Sequence, residues 1–105
     1  MGDRAVVIFS DQGDDTAAVY LHNEGHHIGE VLDTFFDHEA AATQSWNRRP
    51  RFDDASYLAA RFVHWVLPEA GGSVGIVPVD HTEHTMVRVH CDNDDKPRVE
   101  QWGDV

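Results

Sequence analysis

Two apolar stripes at helical spacing in the middle of the chain restrict the fold more than any other feature. The first stripe repeats at i, i+3, i+4, i+7 and i+8 and consists of Ile28, Val31, Leu32, Phe35 and Phe36. The second consists of Leu58, Ala59, Phe62, Trp65 and Val66. Apolar residues at this period form one face of an amphipathic helix, and that face must be buried against another layer. The sequence therefore predicts two helices that pack on a common core.

The ends of the two predicted helices carry their own signals. Glu39 would return to the apolar face of the first helix, so we expect the packing of that helix to end near it, while Ala40-Ala41-Ala42 can continue the helix itself. Asp53 or Asp54 is suited to cap the second helix, because a carboxylate can accept from free N–H groups of the first turn. Arg61 points away from the second stripe, and Pro68 is expected to stop that helix.

Five segments flanking the helices have strand character: Ala5–Phe9, Ala17–His22, Ser73–Val79, Thr85–Cys91 and Pro97–Trp102. The first is a continuous apolar run, which is typical of a central strand covered on both faces. Pro78 indicates that the third segment is an edge strand or an exit from the sheet. The order β-β-α-α-β-β-β with short turns predicts one α+β domain over residues 1–105. Its antiparallel sheet of about five strands carries both helices on one face.

The charge balance excludes several classes of function. The chain has 105 residues with 19 Asp and Glu against 8 Lys and Arg, so its formal net charge is −11. Direct binding of nucleic acid or of an acidic membrane surface is not expected, because both need clustered basic residues. No apolar run is long enough for a membrane span, and the N-terminal residues lack a secretory signal. The single cysteine, Cys91, suits a reducing compartment, so we expect a cytoplasmic protein.

The acidic residues are the first group of candidate partner-binding residues. Glu30, Asp33 and Asp37 fall opposite the apolar stripe of the first helix, about 4.5 and 6 Å apart along its axis at 1.5 Å per residue. Two turns add further carboxylates: Asp11, Asp14, Asp15, Asp92, Asp94 and Asp95. Such rows can imitate a phosphate backbone and occupy a basic groove on another protein. The alternative is a solvated helix face with two polar turns.

The connector between the helices is the second group of candidates. Trp46, Arg48, Arg49 and Arg51 are concentrated there, and Arg and Trp are frequent in the energetic centres of interfaces. In the alternative reading, Trp46 and Phe52 cover the helix ends while the arginines pair with neighbouring aspartates.

Eight histidines raise the question of a metal site or a response to pH. His22, His26, His81 and His84 are the plausible zinc ligands, but the chain has neither a helical H-E-x-x-H pattern nor a CxxC pair. We therefore interpret the histidines as solvated polar residues. A response to pH is the other possibility, because protonating all eight would change the net charge from −11 to −11 + 8 = −3.

No catalytic signature accompanies these residues. Cys91 lies on an alternating strand face beside valines, which indicates a buried and inert thiol. The serines lack a nucleophile elbow, and the Gly71–Gly72 pair lacks the Lys and the Ser or Thr of a phosphate loop. We therefore expect no enzyme activity, no catalytic residue, no bound metal and no cofactor.

Two stretches resemble a known group of sequences. The opening Met1-Gly2-Asp3-Arg4-Ala5, followed by Tyr20-Leu21-His22, resembles small uncharacterised proteins of phages and bacterial genomes. They open Met-Gly-x-Arg-Ala and later carry a Tyr/Leu-His-Trp-x-Gly segment, in which this chain has Asn23 for Trp and keeps Gly25. The stretch from Arg51 to Val63 is similar to their Asp-x-Ser-Tyr-x-Ala-Ala-Arg-Phe segment. The resemblance implies a phage or prophage setting and brings no established activity with it.

A small acidic domain in such a setting is expected to act by binding. The leading hypothesis is an inhibitor or modulator of a host nucleic-acid-binding machine, of the anti-CRISPR type, whose acidic surface competes with DNA or RNA. Its partner would be a protein with a basic surface in the host cytoplasm. The alternatives are a His-rich metal-binding protein or small enzyme, and a homo-oligomeric structural module joined through sheet edges or through Trp46 and Trp102.

Overall fold

The structure is a computed structural model that describes residues 4–22, 27–48, 51–69, 74–83, 85–92 and 96–103. These residues form two helices and one sheet, so the predicted α+β class is confirmed. The elements are β1 (Ala5–Asp11), β2 (Asp14–Leu21), α1 (Ile28–Ser45), α2 (Ala55–Glu69), β3 (Val74–Val77), β4 (Thr85–His90) and β5 (Arg98–Gly103).

The sheet is mixed, with the spatial order β3-β2-β1-β4-β5. Three neighbouring pairs are antiparallel, but β1 and β4 run parallel, with Ala5 opposite Thr85. The prediction of a wholly antiparallel sheet is therefore wrong at this pair. The physical reason is that β4 does not turn back along β3, which precedes it, but pairs with β1 on the far side of β2. Hydrophobic alternation identifies a strand but does not identify its neighbour.

β1 is the middle strand, and its residues from Ala5 to Ser10 are all buried. One face of the sheet packs against α1 and α2 in a single core, as predicted. Phe35 of α1 lies 5.1 Å from Phe62 and 5.5 Å from Trp65 between ring centroids, so aromatic contacts join the two helices. We call the other side of the sheet, which carries Val6, Ile8 and Met86, the open face.

The connection from β3 to β4 crosses the open face. β3 and β4 both run in the direction of β1, so the chain must return across β2 and β1 before β4 begins. The His81 ring is edge-on to the Tyr20 ring, with 6.3 Å between ring centroids, and the Glu83 N–H donates to Met86 Sδ at 3.3 Å. This crossing helps to explain why Val6 and Ile8 are at most 2% exposed although neither helix packs on that face.

Two expectations about the helix ends need correction. α1 continues through the three alanines to Ser45, as the sequence allowed, but its packing does not end at Glu39, since both Glu39 and Thr43 are 2% exposed. Arg61 does not point away into solvent but binds Glu39 across the two helices. Pro68 lies inside the last turn of α2, which ends at Glu69.

Candidate functional site

The parallel pairing of β1 and β4 brings the two aspartate-rich turns to the same end of the sheet. Strands that run parallel have their carboxyl ends at one edge, so Asp11 at the end of β1 and Asp92 after β4 lie near each other. Asp14 belongs to the same end because it pairs with Asp11 across the β1–β2 turn. The β1–β2 turn contains Gln12 and Gly13, both with positive φ, and Gly13 adopts this conformation without steric cost.

The first turn of α2 completes this end of the molecule. Asp54 Oδ1 accepts the Tyr57 N–H at 3.0 Å, so Asp54 is the cap that the sequence predicted as one of two choices. Asp11 Oδ2 accepts the Ala55 N–H at 2.9 Å, which attaches the end of β1 to the start of α2. We call the set Asp11, Asp14, Asp53, Asp54 and Asp92 the acidic end.

Cys91 is a buried cysteine beside the acidic end. The side chain is 1% exposed, as the prediction of a buried thiol requires. Burial, followed by the negative charges of Asp11, Asp92, Asp54 and Asp53, raises the pKa of the Cys91 thiol to about 12. Four carboxylates therefore act on one buried atom, although they come from three separate parts of the chain.

The carboxylates of the acidic end differ in what they contact. Asp11 and Asp54 hold the start of α2, and Asp54 also forms an ion pair with Arg51 at 2.8 Å. Asp14, Asp53 and Asp92 are exposed. Asp94 and Asp95, which the sequence placed in the same candidate set, lie outside the described residues.

Asp15 belongs to a different environment on the open face. Arg88 Nε and Nη2 donate to the two carboxylate oxygens of Asp15, each at 3.0 Å. These hydrogen bonds lower the pKa of Asp15 and raise the pKa of Arg88. The Arg88 guanidinium also lies 4.8 Å from the centre of the Trp102 ring. Asp15 is thus held by a cation, whereas the sequence grouped it with the carboxylates of the turn.

The acidic row of α1 is exposed, as its position opposite the apolar stripe predicts. Glu30, Asp33 and Asp37 all face solvent. Lys96 Nζ contacts Asp33 Oδ1 at 3.0 Å, although both side chains are more than half exposed. This contact connects the segment before β5 with the outer face of α1, so the α1 row lies beside the hairpin that supplies Asp92.

The connector between the helices makes the structural contacts of the alternative interpretation, and part of it is exposed. Phe52 is buried against Phe36, with ring centroids 5.8 Å apart, and so covers the helical core. Arg51 pairs with Asp54 and lies 5.2 Å from the centre of the Tyr57 ring. Trp46 remains 48% exposed at the end of α1.

The arginine that stacks on Trp46 is Arg61, at 5.0 Å, and not a residue of the connector. Arg48 is exposed, and Arg49 lies outside the described residues. The sequence patterns did not identify Arg61 and Glu39 as neighbours of Trp46. The return of Glu39 to the apolar face was the signal available, since a buried carboxylate needs a cation.

Two of the four histidines considered as zinc ligands, His22 and His81, lie on the open face beside Tyr20. The Tyr20 hydroxyl lies 2.9 Å from His22 Nδ1, and the His81 ring packs against the same tyrosine. His81 Nε2 lies 2.8 Å from Glu83. Within the described residues no group of three or more His, Cys, Asp or Glu side chains is arranged to hold a metal ion. His26 and His84 lie outside those residues.

No helix in the described parts of the chain is long and apolar enough to cross a membrane. Comparison of the chain with protein-family models, with curated proteins and with solved structures finds no match.

Proposed function

We propose that this chain is a small acidic binding protein that occupies the basic surface of a nucleic-acid-binding protein and so inhibits or modulates it. The observation that carries the proposal is the convergence of Asp11, Asp14, Asp53, Asp54 and Asp92 at one end of the sheet. A basic groove that normally holds phosphates offers the complementary potential. In a phage or prophage setting the target would be a host machine in the cytoplasm, and an anti-CRISPR protein is the concrete version.

The exposed part of this surface combines three carboxylates of the acidic end with the row on α1. Asp14, Asp53 and Asp92 are exposed and do not cap α2, so they can meet a partner without loss of the fold. Fixed carboxylates on a rigid scaffold attract a basic partner over several ångströms and increase the association rate. Salt screens this attraction, with a Debye length of about 8 Å at physiological ionic strength.

The test begins with capture of partners from a bacterial lysate at low salt. Each captured protein is then assayed for DNA or RNA binding as the chain is added. We expect the chain to displace the nucleic acid and to lose affinity steeply as salt increases. If no nucleic-acid-binding protein is captured, or if the captured protein binds nucleic acid and the chain together, the proposal is wrong.

Two variants distinguish the two acidic surfaces. The triple change Asp14→Asn, Asp53→Asn and Asp92→Asn removes charge from the acidic end, and we expect it to weaken binding about tenfold or more. The triple change Glu30→Gln, Asp33→Asn and Asp37→Asn tests the α1 row in the same way. Asp80→Asn changes an exposed carboxylate in the turn after β3 and is the control that leaves binding unchanged. Equal affinity of both triple variants and the unmodified chain would exclude the acidic surface.

A further inference from the structure

The outer side of β5 is a free sheet edge in the described part of the chain, where β5 pairs with β4 alone. The hydrogen-bond pattern identifies the backbone groups on that edge. The Thr85 N–H donates to the Arg4 carbonyl, and the Cys91 N–H donates to the Ser10 carbonyl. In β4 the backbone N–H and C=O groups of odd-numbered residues are therefore directed at β1, and those of even-numbered residues at β5. Because Arg88 lies opposite Glu100, the backbone N–H and C=O groups of even-numbered β5 residues are directed at β4. The backbone groups of Val99 and Gln101 are therefore directed away from the sheet.

The side chains of β5 carry a self-complementary charge pattern. Arg98 and Glu100 are two residues apart, so they lie on the same face of the sheet, and both are exposed. Within the chain, Glu100 Oε1 also lies 3.0 Å from His90 Nε2 and 3.9 Å from Arg88 Nη1. Residues 98–103 contain Arg98 and Glu100, so the net charge of β5 is 1 − 1 = 0 in a chain of −11. This edge is therefore a place where two copies can approach with little local repulsion. The other edge strand, β3, is shorter and has no charged residue.

We propose that β5 pairs in an antiparallel manner with β5 of a second copy of this chain, around a two-fold axis normal to the sheet at Val99. This axis keeps the helices of both copies on one side and joins the two sheets into one. Each Arg98 then lies opposite the Glu100 of the other copy. Both pairs occupy non-hydrogen-bonded positions, in which facing side chains are closest. The two Val99 residues exchange backbone hydrogen bonds, and each Gln101 N–H donates to the opposing Pro97 carbonyl.

The charges select this register over its neighbours. An axis at Glu100 places the two Glu100 side chains directly opposite each other, and an axis at Arg98 does the same for the two arginines. Like charges at facing positions destabilise a strand pair. An axis at Gln101 places Glu100 opposite Trp102 and forms no Arg98–Glu100 pair. The Val99 register joins Arg98 to Glu100 twice and places no like charges opposite each other.

Antiparallel pairing also separates the acidic ends. The acidic end lies where β4 ends and β5 begins, so a two-fold axis at β5 directs the two acidic ends in opposite directions. The strongest repulsion between copies is thereby reduced, since charges several Debye lengths apart are screened. The pairing does not depend on the proposed function, but it would present two acidic ends for binding.

Sedimentation equilibrium from micromolar to near-millimolar protein tests this inference at constant salt. We expect the mass to rise from monomer to dimer with concentration, as mass action requires. Arg98→Glu and Glu100→Arg should each weaken the dimer about tenfold by placing like charges opposite one another, and the double variant should restore it. Arg48→Glu makes the same charge change as Arg98→Glu at an exposed site on the helix connector and should leave the dimer constant unaltered.

A backbone variant makes the test independent of charge. Gln101→Pro removes an outward N–H without removing a hydrogen bond to β4, and it should abolish the dimer, whereas Gln101→Ala should not. Circular dichroism verifies that each variant is folded. A monomer at every concentration overturns the inference, as does a dimer that is insensitive to Gln101→Pro. A dimer strengthened by Glu100→Arg overturns the Val99 register. None of these results changes how a monomer binds a basic partner.

Discussion

Arg61 on α2 donates to both carboxylate oxygens of Glu39 on α1, from Nε at 2.9 Å and from Nη2 at 2.8 Å. Glu39 is 2% exposed and Arg61 is 23% exposed, so the acceptor is buried and the donor lies at the edge of the core. The hydrogen bond to Glu39 raises the pKa of Arg61. This two-point contact fixes one helix relative to the other, since a planar guanidinium matches a carboxylate in one orientation.

Removing one member of this pair should cost more than removing both. Arg61→Met leaves the Glu39 carboxylate buried without its cation, which costs about 3–5 kcal/mol in fully buried pairs. Because Arg61 is partly exposed, we expect about 2–3 kcal/mol from urea unfolding. The double variant Glu39→Leu with Arg61→Met should be more stable than Arg61→Met alone. Strict additivity of the two single changes would show that the residues are not coupled.

The cap of α2 gives a second prediction. Asp54→Ala removes the acceptor for the Tyr57 N–H and should reduce the free energy of unfolding by about 1 kcal/mol. Asp54→Asn should retain most of that stability, since the amide oxygen can still accept. The neighbouring Asp53 is exposed, and Asp53→Ala is the matched control. A loss at Asp53 as large as the loss at Asp54 would contradict the assignment of the cap.

The Asp15–Arg88 pair should make the free energy of unfolding depend on pH in the acid range. Hydrogen bonding from Arg88 lowers the pKa of Asp15 in the folded chain, so the stabilisation is complete above the ordinary Asp pKa of about 3.9. It is lost as the pH falls through the lower value of the folded state. Asp15→Asn should therefore cost about 0.2–1 kcal/mol at neutral pH, and the difference from the unmodified chain should shrink below pH ~4.

Thermal or urea unfolding at several pH values measures this difference. Asp14→Asn serves as the control, because Asp14 is exposed and neighbours Asp15 on the same turn. A constant difference between Asp15→Asn and the unmodified chain from pH 7 to the acid range would contradict the predicted linkage.

Cys91 should resist alkylation while the chain is folded. Its pKa of about 12 leaves a negligible thiolate fraction at pH 8, and its side chain is 1% exposed. We expect iodoacetamide to modify the thiol only as fast as the chain opens, and modification to become rapid in denaturant. Rapid reaction in native buffer, with the secondary structure intact, would place the thiol outside the core.

Local patterns predicted the secondary structure because each signal acts within a few residues. The period of the stripe from Ile28 to Phe36 predicts α1, and the continuous apolar run at Ala5–Phe9 predicts the central strand. Asp53 and Asp54 both precede the second stripe, so the sequence predicts a cap there, and the hydrogen bond from the Tyr57 N–H assigns it to Asp54. The same patterns predicted the exposure of the α1 row, since a carboxylate opposite an apolar stripe is left in water.

The sequence by itself determined which segments are helices and strands and which faces are apolar, because these properties depend on spacing within one segment. The tertiary structure alone decided that β4 pairs with β1, that Glu39 meets Arg61, and that Asp11, Asp54 and Asp92 share one end. Each of these relationships joins residues far apart in the chain, and its free energy depends on which segments are packed together. The acidic end is therefore a consequence of strand order, not of local composition.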